Sequence, residues 1–80
     1  MHPDGDVAEA LPRAYRRSLD AIGRLEKIGA RREASRLRRA AIAVYNGPWN
    51  AKSLRSLEEM AARAGAVATE QEHRGPLRVA

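Results

Sequence analysis

Leu11, Tyr15, Ser18, Ile22, Leu25 and Gly29 follow one another by steps of four, three, four, three and four. Residues three and four apart share a face of an α-helix, whereas a strand alternates its faces every second residue, so this rhythm admits a helix and excludes a strand. A second stripe, Ala30, Ala34, Leu37, Ala41 and Val44, keeps the same steps but runs one residue out of phase. Gly29 lies at the slip. Glycine costs about 1 kcal/mol against alanine inside a helix and is favoured just past a helix end. The spacing predicts a helix over 10–28, with Pro12 in its first turn, a break at 29–30 and a second helix over 31–45. One long helix with a drifting phase is the alternative.

Asn46-Gly47-Pro48-Trp49-Asn50 is the strongest punctuation in the chain. Asn-Gly tolerates left-handed backbone, and proline fixes its own φ and restrains its predecessor. Helical patterns on both sides make this a helix–helix connection. A third helix over 50–64 follows, with Leu54, Leu57, Met60, Ala61 and Ala64 on one face, Asn50 or Ser53 as N-cap, an outward Glu59–Arg63 pair and Gly65 as C-cap. The expectation is an all-α fold: a small helical domain of about three helices, with an antiparallel helical hairpin around the 46–50 turn. Residues 1–8 read as a flexible acidic leader, 9–65 as the helical domain, and 66–80 as a poorly ordered tail ended by Gly75-Pro76.

Alanine supplies 16 of the hydrophobic residues, and aromatics make up 4% of the 80-residue chain. Chains of this size are marginal by surface-to-volume scaling, and an alanine-rich core without phenylalanine is thin. Self-association or docking on a partner is therefore expected to bury the remainder. Without cysteine there is no disulfide framework and no thiolate zinc site. No stretch approaches the roughly 18 apolar residues of a membrane span, and the start lacks the pattern of a secretory signal; a cytoplasmic protein is the expectation.

The net charge of +5 is unevenly placed. Residues 1–10 hold Asp4, Asp6 and Glu9 and no arginine or lysine, while residues 11–45 hold nine arginines and Lys27 against Asp20, Glu26 and Glu33. At 100° per residue, Arg32, Arg36 and Arg39 share the face opposite the second apolar stripe, and Arg31 and Arg38 flank that stripe beside Ile42. Arg13, Arg17 and Arg24 line up on the first helix, with Asp20 in their row. Guanidinium presents a fork of donors that suits carboxylate and phosphate, so Arg13, Arg17, Arg32, Arg36 and Arg39 are the candidate partner- or phosphate-binding residues. The plain alternative is a solvated face with internal pairs such as Asp20–Arg24. Trp49, the sole tryptophan, is either a partner-binding anchor or a cover for the core end.

Two partial resemblances occur. Leu57 to Gly65 resembles the first helix and turn glycine of a helix-turn-helix, but Gln71 stands where an apolar anchor belongs, and Glu70 and Glu72 would repel phosphate. The small residues between Gly29 and Gly65, including Ala34 and Ala41, resemble a tetratricopeptide-type helical hairpin. Arg38 falls where that repeat has an aromatic, and no second repeat follows.

For catalysis, His2 and His73 lie near the ends, the carboxylates are scattered, and neither a phosphate loop nor a metal-ligand spacing occurs. The chain is expected to be no enzyme, with no cofactor, no metal and no small-molecule substrate. The leading expectation is a protein-interaction module binding an acidic protein or a second copy of itself; the alternative is a nucleic-acid-binding protein that grips phosphate backbone.

Overall fold

The computed structural model describes residues 3–74, with side chains for residues 7–72. It is all-α: α1 runs Pro3–Lys27, α2 Arg31–Tyr45 and α3 Ala51–Arg74. The break between α1 and α2 falls where the two stripes slip. Gly29 adopts φ 92°, and the amides of Gly29 and Ala30 donate to the carbonyls of Glu26 (3.1 Å) and Leu25 (2.9 Å). This left-handed C-terminal motif satisfies carbonyls that the helix end leaves without donors. Asn46 and Gly47 do not use left-handed backbone; Asn46 stays near the helical region at φ −85° and ψ −5°.

Partner pairs set the directions of the helices. Tyr15 meets Tyr45 and Glu26 meets Arg38, so α1 and α2 are antiparallel. Arg17 meets Glu58 and Arg24 meets Glu72, so α1 and α3 run parallel. The molecule is thus an up-down-up arrangement about α1. The α1–α3 seam is the most extensive and α2 touches α3 least, so packing centres on α1 rather than on a hairpin around the 46–50 turn.

The core shows why. Val7, Leu11, Ala14, Ala21, Ile22 and Leu25 of α1 are buried, with Ala34, Leu37 and Ala41 of α2 and Leu57, Ala64 and Ala68 of α3. Half of these twelve are alanines, which shrinks the volume between axes and lets backbones approach. Ser18 is fully buried among them, and its hydroxyl donates to the Tyr15 carbonyl at 2.6 Å. No buried side-chain polar atom lacks a partner among the described residues.

Two helices outrun their expected limits. α1 begins at Pro3, so residues 3–8 of the expected leader are helical, and Pro12 lies inside the helix rather than in its first turn. Burial of Val7, one turn before Leu11, extends the apolar stripe and helps offset the roughly 3 kcal/mol that an interior proline costs. α3 continues through Gly65 to Arg74, so Gly65 is not a C-cap and residues 66–74 of the expected tail are helical. Ala68 is fully buried and prolongs the 57, 61, 64 spacing. An unbroken α3 also removes the turn that a helix-turn-helix needs at Gly65. Residues 1–2 and 75–80, including His2 and Gly75-Pro76, lie outside the described residues, as does the side chain of His73.

Candidate interaction surface

Of the N-cap candidates for α3, Asn50 fills the role: its Oδ1 accepts the Ser53 amide at 2.9 Å. The Ser53 hydroxyl donates to the Pro48 carbonyl, which ties the turn to the new helix. Tyr15, Tyr45 and Trp49 form a column beside this turn. The tyrosine rings stack at 4.1 Å with an angle of 12°, and Trp49 tilts against Tyr45 at 5.1 Å and 44°. Trp49 is 39% exposed, and its indole N–H donates to the Tyr45 carbonyl at 2.8 Å. Its one polar donor and one face are therefore committed to holding α2 to the turn.

The arginines divide into engaged and unengaged groups. Arg24 donates to Glu72 Oε1 at 2.8 Å and to Thr69 Oγ1 at 3.0 Å, clasping the last turns of α3. Its hydrogen bond to Glu72, reinforced by the charge, raises Arg24 above its ordinary value and holds the Glu72 carboxyl below the usual range. Arg38 donates to Glu26 at 2.5 Å. That hydrogen bond lowers Glu26, partial desolvation opposes it, and the charges of Arg38 and Arg31 add to the lowering. Arg17 makes a looser contact of 3.9 Å with Glu58. The expected local pairs Asp20–Arg24 and Glu59–Arg63 are not among the ion pairs of the described residues, because Arg24 reaches across to α3 instead.

Arg13, Arg32, Arg36 and Arg39 are exposed and have no carboxylate partner among the described residues. The five sequence candidates do not share a face. Arg13 and Arg17 lie with Arg24 on the α1 flank that meets α3, whereas Arg32, Arg36 and Arg39 point away from the α2 core stripe of Ala34, Leu37 and Ala41. α2 carries five arginines against one glutamate, a net +4 of the chain's +5. Arg31 and Arg32 open the helix, and its last turn holds no basic residue. Arg31 and Arg32 oppose the helix macrodipole, which disfavours cations at an N-terminus by about 0.3–1 kcal/mol each, and Glu33 in the same turn offsets part of that cost. Ala30 supplies no side-chain cap there.

Sequence reasoning missed a recess on the outer side of the α1–α2 pair. About 650 Å³ in volume, it is lined by Leu19, Asp20, Gly23, Arg24, Glu26 and Lys27 of α1 and by Arg31 and Ser35 of α2. Ile42, 41% exposed, lies seven residues beyond Ser35 and so on the same side of α2. Gly23 was the available signal, since a glycine inside a strong helical stripe calls for a reason.

No group of His, Cys, Asp and Glu suited to a metal ion occurs among the described residues, and no described helix is long and apolar enough to cross a membrane. The fold and this surface define a small all-α protein with its positive charge concentrated on one helix. Compared with known protein families, curated proteins and solved structures, the chain matches none.

Proposed function

We propose that this chain is a non-enzymatic helical interaction module whose α2 binds an acidic protein partner. The observation that carries the reading is the row Arg32, Arg36 and Arg39, unpaired among the described residues and set on the helix that holds a net +4 of the chain's +5. Like charges three and four residues apart repel one another along a helix, so the row serves an external anion better than it serves the fold. Exposed Ile42 beside Arg38 and Arg39 favours a polypeptide, because an apolar foothold adds to carboxylate recognition and gains little from a phosphodiester. A second copy presenting this same face would bring like charges together, so a partner of opposite charge is favoured over a homodimer here.

The regular row also supports a second reading, backbone contacts to nucleic acid, since three guanidinium groups along about 10 Å of helix suit a run of phosphates. Anisotropy titrations with labelled polyglutamate and with random duplex DNA, each at low and moderate salt, separate the two. The acidic polypeptide should bind, and Arg32→Gln/Arg36→Gln/Arg39→Gln should abolish that binding while leaving the helical circular dichroism unchanged. Duplex DNA held more tightly than polyglutamate at moderate salt, with a steep salt slope, would overturn the protein reading in favour of nucleic acid.

A further inference from the structure

We infer that the recess between α1 and α2 is the seat of a short amphipathic helix from an acidic partner, with Gly23 as the point of closest backbone approach. The inference rests on the acidic-partner reading and adds where and how the partner sits. Leu19, Gly23 and Glu26 of α1 face Arg31 and Ser35 of α2 across the recess, and Arg38 and Ile42 continue the α2 row beyond it at steps of three and four. The recess thus runs along the seam of two antiparallel helices, where a third helix can lie with its apolar positions on Leu19 and Ile42 and its acidic ones toward Lys27 and Arg31.

The groove is polarised along its length. α1 and α2 are antiparallel about the 28–30 turn, so Leu19 and Ile42 lie toward one end and Lys27 and Arg31 toward the other. Lys27 and Arg31 are in none of the ion pairs of the described residues, although the charge of Arg31 reaches Glu26, and Arg39 and Arg32 stand on the ridge beyond Ser35. The carboxylate of Glu26 is already engaged by Arg38, which leaves Asp20 as the recess carboxylate outside the described ion pairs. The surroundings are therefore cationic with an apolar end, complementary to a helix carrying Glu or Asp toward one terminus and Leu or Ala toward the other.

Gly23 lies within the lining of the recess. It lies well inside α1, where glycine is unfavourable against alanine. A Cβ built on it would meet nothing within 4 Å. Gly65 of α3 is open in the same way; Gly23 differs in lining the recess, where a helix lying on this surface gains from the missing side chain.

The test uses the full chain and three probes: a stapled acidic amphipathic helical peptide with a Leu/Ala stripe, polyglutamate, and random duplex DNA. Wild type should prefer the amphipathic peptide to polyglutamate. Gly23→Leu should keep or raise the thermal midpoint yet weaken the amphipathic peptide on the order of tenfold or more, a gap of about 1.4 kcal/mol, with polyglutamate unchanged. Ile42→Ser reads the same groove through an exposed residue and keeps the question open to refutation should Gly23→Leu fail to fold. Equal binding of both acidic probes by wild type, or undiminished peptide affinity in a folded Gly23→Leu or Ile42→Ser variant, overturns the groove while leaving the charge reading in place. Failure of both acidic probes at low salt overturns both, and preference for the duplex moves the ligand to nucleic acid.

Discussion

At Gly29 the backbone turns to φ 92°, a region that any side chain makes costly, so alanine there should destabilise the protein by about 1–2 kcal/mol. Gly65 is helical with nothing within 4 Å of a built Cβ, so alanine there should stabilise it by about 0.5–1 kcal/mol. Denaturant midpoints of Gly29→Ala and Gly65→Ala should therefore move in opposite directions. A loss on Gly65→Ala would restore a helix end at that position. The contrast explains what could be read residue by residue. Gly29 announces itself because the apolar stripe changes phase there. At Gly65 the stripe carries on through Ala64 and Ala68, and alanine is too small a signal to outweigh an adjacent glycine. Val7 was hidden in the same way by Pro3, Asp4, Gly5 and Asp6, although a proline followed by acidic residues also suits a helix start.

Among elements, α3 has a side-chain N-cap and α2 does not. Replacing Asn50 with alanine removes the acceptor for the Ser53 amide and should cost about 1 kcal/mol, read by chemical denaturation. The neighbouring Trp49 gives a sharper test of what the 46–50 turn is for. Its ring covers Tyr45 and its N–H holds the Tyr45 carbonyl. Trp49→Ala should therefore lower stability by roughly 1–2 kcal/mol and remove the tryptophan contribution to near-ultraviolet circular dichroism while the Tyr15–Tyr45 stack remains. Affinity for acidic probes should stay within about twofold of wild type, on the scale where 1.4 kcal/mol is tenfold. A folded Trp49→Ala variant that no longer binds would make this residue the partner anchor. The element order and the bounds of α2 follow from periodicity and turn chemistry, but the choice of neighbours does not. Each of the three helices has an alanine-bearing face that could meet either other one, and α1 became the centre because its stripe, from Val7 to Leu25, is the longest and richest in large side chains.

Across the whole molecule, the contacts that fix α2 and α3 to α1 join residues far apart in sequence. Arg24 and Glu72 are 48 positions apart and Glu26 and Arg38 are 12 apart, so a search for pairs three or four residues apart finds Asp20–Arg24 and Glu59–Arg63 and misses both clasps. The division between engaged and unengaged arginines was for that reason not legible in the sequence, though the outward row on α2 was. These clasps make the fold acid-sensitive in a defined sense. Glu26 and Glu72 bind protons less readily when folded, because each accepts a hydrogen bond from an arginine. Depressed carboxyl values contribute stability that is fully present above the unfolded range, near 4.3 for glutamate, and that drains away as pH falls through the lower folded value. Both carboxylates are close to half exposed, so solvent screening keeps each contribution small. Thermal midpoints should thus be flat from neutral pH down to about 5 and fall below about 4. In Glu26→Gln/Glu72→Gln the same curve should start lower at neutral pH and slope less in acid, because neither clasp remains to be protonated. Parallel curves for variant and wild type would mean that these two pairs do not hold the helices together, and that the alanine-lined core alone sets how α2 and α3 sit on α1.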